Sequence, residues 1–271
     1  MGSEIGINSI GGVNNRYLNQ ALQKGNQASG HLASSLRIAQ ASDDAAGLGI
    51  SERMRALIRS FDQASRNTLQ GVDLAKTADS ALGGASETLG RMRELAVQSS
   101  SGTLSDADRA TINDEFTQLS DHLDSLGQDT EFNGQKLLDG STSSVEVQSG
   151  VSAGDTTSIQ LTELSASALA LDTESVDSAA AASSAIAALD SAIEDVSRAR
   201  GDLGANVHAL TSQHSVVSQS SLQLSASESR LRDVDVAYEV AVQSQQQILA
   251  KGSVALLSQS FLSASAAGRL L

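Results

Sequence analysis

The chain has no cysteine, no proline and no tryptophan, and carries only two tyrosines and four phenylalanines among 271 residues. Without cysteine no disulfide can form, and the redox compartment stays unread; four scattered histidines do not make a structural zinc site. Without proline, which removes a backbone N–H and clashes with the preceding turn, helices are free to run very long. The scarcity of aromatics disfavours a thick sandwich or barrel and suits closely approaching helices rich in Ala, Ser and Leu. Basic residues are also in deficit: 18 Lys and Arg against 32 Asp and Glu leave a net charge of −14. Such a surface repels phosphate backbones, so nucleic acid is not an expected partner. No apolar run approaches the roughly 18–20 residues that span a bilayer, and membrane insertion is not expected. The opening Met1-Gly2-Ser3-Glu4-Ile5-Gly6 has no basic region followed by an apolar stretch, so no cleaved secretory signal is expected. It also has Gly6 where a myristoylation pattern requires Ser or Thr.

What is present is a 3,4 spacing of apolar and small residues, which lays a seam along one side of a helix. Near the N-terminus it runs Leu18, Leu22, Gly25, Ser29, Leu32, Leu36. After a break at Ser42-Asp43-Asp44 it resumes as Met54, Leu57, Phe61, Ala64, Thr68, then shifts phase into Val72, Ala75, Ala78, Leu82, Ala85, Leu89, Met92, Ala96. The extra four-residue step is a stutter, which locally relaxes supercoiling. Ser105 followed by Asp106 and Asp108 reads as an N-cap with carboxylates in the first turn. The helix it opens buries Ile112, Phe116, Leu119, Leu123 and Leu126 and is expected to stop at Gly127.

Between about residues 132 and 171 the period changes to two, in Val145-Glu146-Val147-Gln148 and Ser158-Ile159-Gln160-Leu161, with Asn133-Gly134 as a turn signal. This is the one β region expected, its strands joined around Gly150 and Gly154. Helix returns near Ser178 with Ile186, Leu189, Ile193, Val196, Arg200, Leu203, Val207, Leu210, His214 and Val217 in line. A last helix carries Val234, Ala237, Ala241, Ile248, Gly252, Ala255 and Leu262. Both chain ends are thus weakly apolar seam helices that bury little area alone, suited to ordering only against a partner surface.

At Leu36-Arg37-Ile38 and Ser42-Asp43-Asp44-Ala45-Ala46-Gly47 the chain resembles the N-terminal region of bacterial flagellins. The resemblance continues through Gln63-Ala64-Ser65-Arg66-Asn67, Gly71-Val72, Met92 to Gln98, and Phe132-Asn133-Gly134. It closes in Ser229-Arg230-Leu231-Arg232-Asp233-Val234-Asp235-Val236-Ala237 with Glu239. The ordered set spans nearly the whole length. Two features depart from the family's pattern: the last eleven residues lack the Pro and Gln often found there, and the middle has no room for large outer domains.

The resemblance implies a short, mainly α flagellin. A coiled-coil inner domain would come from residues 1–42 and 232–271, and a long antiparallel helical rod with a small β-hairpin region from residues 43–231. Its implied function is that of a non-enzymatic subunit polymerising into the extracellular filament of the flagellum, with the hook–filament junction protein as the alternative. Implied partners are copies of itself, hook-associated and cap proteins, an export chaperone, and a host flagellin-sensing Toll-like receptor. No cofactor or metal is implied. For that receptor, or for contacts between subunits, the family points to Arg91, Leu95, Gln98 and Glu115. The inner-domain seam falls on Leu18, Leu22, Leu32, Leu36, Ile248, Ala255 and Leu262.

Other constellations reduce to structural readings. Asp43 and Asp44 point apart on a helix and are expected to have no nucleophile or histidine with them, so a helix-start role is expected rather than acid–base chemistry. His208 and His214 lie six apart, off the spacing of a helical metal pair. Gly47 and Gly49 lack both the third glycine and the preceding strand of a dinucleotide loop. Arg200 is expected to snorkel from its seam.

Overall fold

The computed structural model describes residues 2–267; the terminal leucines of the sequence lie outside that range. Five helices carry the fold: α1 (Gly2–Ser34), α2 (Ala45–Ser99), α3 (Asp106–Asp129), α4 (Ala179–Arg232) and α5 (Val236–Ala267). Two antiparallel pairs, β1 (Glu131–Phe132) with β2 (Gln135–Lys136) and β3 (Ser144–Gln148) with β4 (Thr156–Gln160), make up the β region. The class is mainly α, as expected. Contacts divide the chain into a unit of Arg59–Leu222 and a unit of Met1–Ile58 with Gln223–Leu271. Those divisions fall inside α2 and α4, away from the sequence-expected boundaries beside residues 42 and 231.

In the Arg59–Leu222 unit the α2 seam from Val72 to Ala96 is buried at every position read from the sequence. A second row, Leu74, Thr88, Leu95 and Ser99, is buried as well. The reason is that α2 has a neighbour on each flank. On one, Arg91 pairs with Glu115 of α3 at 2.8 Å; on the other, Arg93 pairs with Asp190 of α4 at 2.6 Å. The α4 stripe facing inward is Ala182, Ala185, Leu189, Ala192, Val196, Ala199, Leu203, Leu210 and Val217. Alanines 192 and 199 therefore take the places the sequence reading gave to Ile193 and Arg200. Ile193 is half-buried beside the seam, and Arg200 is exposed with its Nε 2.9 Å from Asp79 Oδ1.

The start of α3 is a capping box: Ser105 Oγ accepts from the Asp108 N–H, and Asp108 Oδ2 accepts from the Ser105 N–H, both at 3.2 Å. Its end corrects the sequence reading. Gly127 lies within the helix, which runs to Asp129 and is closed by Thr130, whose Oγ1 donates to Leu126 O at 2.6 Å. Gly127 is needed for room: the Leu164 carbonyl occupies the space a Cβ would take. Between them, Asn133 (φ 52°) and Gly134 (φ 79°) form the two-residue turn with positive φ at both positions that joins β1 to β2. In the second pair Val147 and Ile159 point into the core. A Cβ on Gly71 would sit 2.9 Å from a Val147 methyl, so glycine there lets β3 lie against α2.

Around these strands runs an irregular segment whose Leu137, Leu138, Leu161, Leu164, Leu169, Leu171 and Val176 fill the core. Its backbone N–H groups are held by α3: Ala166 donates to Asp124 Oδ1 at 2.6 Å and Val176 to Asn113 Oδ1 at 2.8 Å. Arg109, 6% exposed, closes the turn after α2. It donates to the carbonyls of Ser99, Ser101 and Leu104 at 3.0, 2.6 and 2.8 Å. Three carbonyl acceptors satisfy a buried cation that has no carboxylate partner in an ion pair among the described residues.

Candidate assembly surface

In the other unit two loops are laced together. Leu36 bridges Asp233, the Arg37 N–H donates to Arg232 O at 2.7 Å, and the Val234 N–H donates to Ser35 O at 3.2 Å. Arg232, 8% exposed, turns back to give Nε to Ile38 O at 3.1 Å and Nη1 to Glu52 at 2.9 Å, which holds the Glu52 carboxyl below its ordinary pKa. Asp43 Oδ2 accepts the N–H groups of Ala39 and Gln40, both at 3.0 Å, and the Gln40 N–H is the largest influence holding the Asp43 carboxyl below its usual range. Asp44 Oδ1 accepts the Gly47 N–H at 2.9 Å and so caps α2. Gly47 leaves space for Ile38, whose Cδ1 would be 2.8 Å from an added Cβ. The two adjacent aspartates thus have the helix-start role read from the sequence, one serving the loop and the other the helix.

Beyond this joint α1 lies along α5. The inward stripe of α1 is Asn14, Leu18, Ala21, Gly25, Ala28 and Leu32; that of α5 is Glu239, Val242, Gln243, Gln246, Ala250, Ser253 and Leu257. Both keep a 3,4 spacing. Small residues set the separation: a Cβ on Gly25 would touch Gln246 Cβ at 3.6 Å, and Ser29 Oγ accepts from Gln243 Nε2 at 2.9 Å. Apart from Leu18, Leu32, Val242 and Leu257 on these stripes, the bulky apolar residues face outward. Tyr17, Leu22, Tyr238, Ile248, Leu249, Val254, Leu256, Phe261 and Leu262 are between 48% and 70% exposed. Of the expected seam residues, Leu18, Leu32 and Leu36 are half-buried. Leu22, Ile248, Ala255 and Leu262 are exposed and lie off the inward stripes of α1 and α5. Alanine and serine one or two positions away occupy the seam, because short side chains let two helices approach.

The second expected patch belongs to the Arg59–Leu222 unit. The fold brings Arg91 and Glu115 together, with Arg91 Nε and Nη2 on Glu115 Oε1 at 3.1 and 2.8 Å and Nη1 on Glu94 at 3.1 Å. Glu115 first and Glu94 second raise the Arg91 pKa above its ordinary value. Gln98 is exposed, whereas Leu95, at 1% exposure, is in the core. A single seam on α2 would have left Leu95 outside; the second buried row draws it in.

Residues 6–143 match the family described as bacterial flagellin N-terminal helical region, and residues 186–261 match the bacterial flagellin C-terminal helical region. The chain belongs to the bacterial flagellins. It is 42% identical to a flagellin of Halalkalibacterium halodurans over 240 residues, covering 88% of each chain. To a flagellin of Listeria monocytogenes it is 36% identical over 272 residues, covering 94% of this chain and 95% of that one. Among solved structures it resembles the crystal structure of Bacillus cereus flagellin at a TM-score of 0.51 and 31% identity, over 56% of this chain and 88% of that one. The two family-model matches leave out residues 144–185, which hold the β3–β4 pair and most of the irregular segment. Both elements of the joint, the Asp43-Asp44 loop and the Arg232 turn, lie within them.

Proposed function

We propose that this chain is the structural subunit that polymerises into the helical filament of the bacterial flagellum and serves swimming motility. Family membership supports this reading, and the observation that carries it is the inversion of α1 and α5, which keep small residues between them and turn leucine, isoleucine, phenylalanine and tyrosine outward. On a solitary chain those residues stay in water. Repeated contact with further copies of the chain buries them, and an open helical array needs such unlike, mutually complementary surfaces on every copy. The role is structural rather than catalytic. In the assembled state the two chain ends form the inner domain and the middle of the chain the outer one. The filament is extracellular, with an export chaperone, hook-associated proteins and the cap as further partners. Electron microscopy of purified protein after seeding tests the reading: long filaments are expected, whereas short caps would favour the hook–filament junction role.

Arg91, Gln98 and Glu115 also form an exposed patch for the flagellin-sensing Toll-like receptor, with Leu95 supporting it from beneath. Arg91→Ala should weaken binding of the receptor ectodomain roughly tenfold. Unchanged affinity would remove the patch from the receptor interface.

A further inference from the structure

One edge of β3 is open. The Leu161 N–H donates to Ser143 O at 3.0 Å and the Ser149 N–H to Asp155 O at 2.9 Å, so the odd-numbered residues of β3 are the ones that exchange hydrogen bonds with β4. The backbone N–H and C=O groups of Glu146 and Gln148 therefore point the other way. Gln148 O marks that direction by accepting from Asn67 Nδ2 of α2 at 3.3 Å. The Gln148 N–H and both backbone groups of Glu146 have no hydrogen-bond partner among the described residues. The pairing of β3 with β4 is continuous from Ser144 to Gln148, without a bulge, and β3 has no proline, so nothing along this edge obstructs a further strand.

The open edge borders a cleft of about 390 Å³, within the roughly 300–1,000 Å³ of ligand sites. Gly71 and Leu74 of α2, both buried, line it together with Phe132 and Asn133 of the β1–β2 hairpin. Glu146 is the one charged residue on its lining, and its side chain is exposed. Successive unpaired N–H and C=O groups at a strand edge are matched by the backbone of an extended polypeptide. A cleft lined by α2 and the β1–β2 hairpin as well as by β3 suits a lone segment. The strands of this chain among the described residues are each carried in a hairpin, and would bring the second strand with them. Glu146 and the net charge of −14 set the sign of the occupant as basic.

We propose that this cleft takes an extended basic segment of a partner protein, added antiparallel to β3, with lysine or arginine beside Glu146 and an apolar residue on each side of it. The apolar residues fall beside Val145 and Val147, whose side chains lie on the opposite face of the strand from Glu146.

The test uses the full chain, unassembled, so its result is separate from the filament reading. The probe is a blocked peptide, Thr-Val-Lys-Val-Thr. Its binding should slow hydrogen exchange of the Glu146 and Gln148 amides by at least about tenfold at saturation. Methylating the peptide's lysine N–H removes the bond to Glu146 O and should weaken binding about tenfold. Glu146→Lys should weaken the lysine peptide about three- to fivefold and favour the same peptide with glutamate in its place. Absence of binding, equal affinity for the methylated peptide, or protection that misses both amides would overturn the proposal. Protection of the two amides that grows with protein concentration, without peptide, would give the edge to a second copy and overturn it too. If Glu146→Lys fails to fold, the methylated peptide on the unaltered chain still decides.

Discussion

Trimming the outward face of α5 should cripple assembly while leaving the Arg59–Leu222 unit intact. Ile248 and Leu262 are each 70% exposed in the single chain. Ile248→Ala and Leu262→Ala each remove three carbons, at about 0.8 kcal/mol per buried CH₂. Scaled by the fraction that a neighbouring copy can still cover, the loss is about 1.5 kcal/mol per residue. The double variant therefore loses about 3 kcal/mol per added subunit, which raises the critical concentration for growth by about a hundredfold. Alanine is the strongest helix former, so the helix itself is not weakened. The assay is seeded assembly to equilibrium, followed by sedimentation and measurement of the protein left in solution. Urea unfolding of the soluble double variant, followed by circular dichroism, serves as the control and should match wild type. A critical concentration within about twofold of wild type would refute the reasoning, since it would mean that these side chains remain in water in the filament.

Replacing Arg109 by methionine keeps the apolar stem but leaves three carbonyls without their donor. Only Ser99 among their owners is fully buried, so the cost should be about 2–4 kcal/mol in urea unfolding of the full chain, and a change below about 0.5 kcal/mol would contradict the buried-cation account. The carboxyls of Asp43, Glu52, Asp108 and Asp190 are all held below their ordinary pKa, by the Gln40 N–H, Arg232, Ser105 and Arg93 respectively. The fold thus binds fewer protons than the unfolded chain: their stabilisation is complete above about pH 4.5 and is lost as pH falls through the folded values. An acid titration followed by circular dichroism should show stability falling below that point, with Glu52→Gln and Asp190→Asn blunting the fall; a curve unchanged down to about pH 2.5 would oppose it.

Much of this was legible in the sequence. The long Val72–Ala96 seam, the Ser105 cap, the Asn133-Gly134 turn and the aspartate pair at the start of α2 each rest on local chemistry, and each stands where the pattern put it. The errors share one cause. In a helix pair built for close approach, the seam goes to Ala21, Ala28, Ala192, Ala199 and Ser253, while bulk goes outside; a reading that follows bulk lands on Leu22, Ile193, Ile248 and Leu262 instead. Leu95 and Gly127 were misjudged for a related reason, because what touches them comes from elsewhere in the chain. Arg109 carried no signal at all: a lone arginine in sequence says nothing about three carbonyls that only folding assembles.

The pairing of α1 with α5 has a kinetic consequence. His31 and Glu239 are 208 positions apart, whereas Arg91 and Glu115 are separated by 24. Closing a large loop costs entropy before any contact rewards it, and a seam of alanine, glycine, serine and glutamine offers a small reward. The middle of the chain can therefore fold early from contacts between near neighbours, while the two ends close last. A subunit of this design completes last the two helices, α1 and α5, that carry most of its outward leucine, isoleucine, phenylalanine and tyrosine side chains.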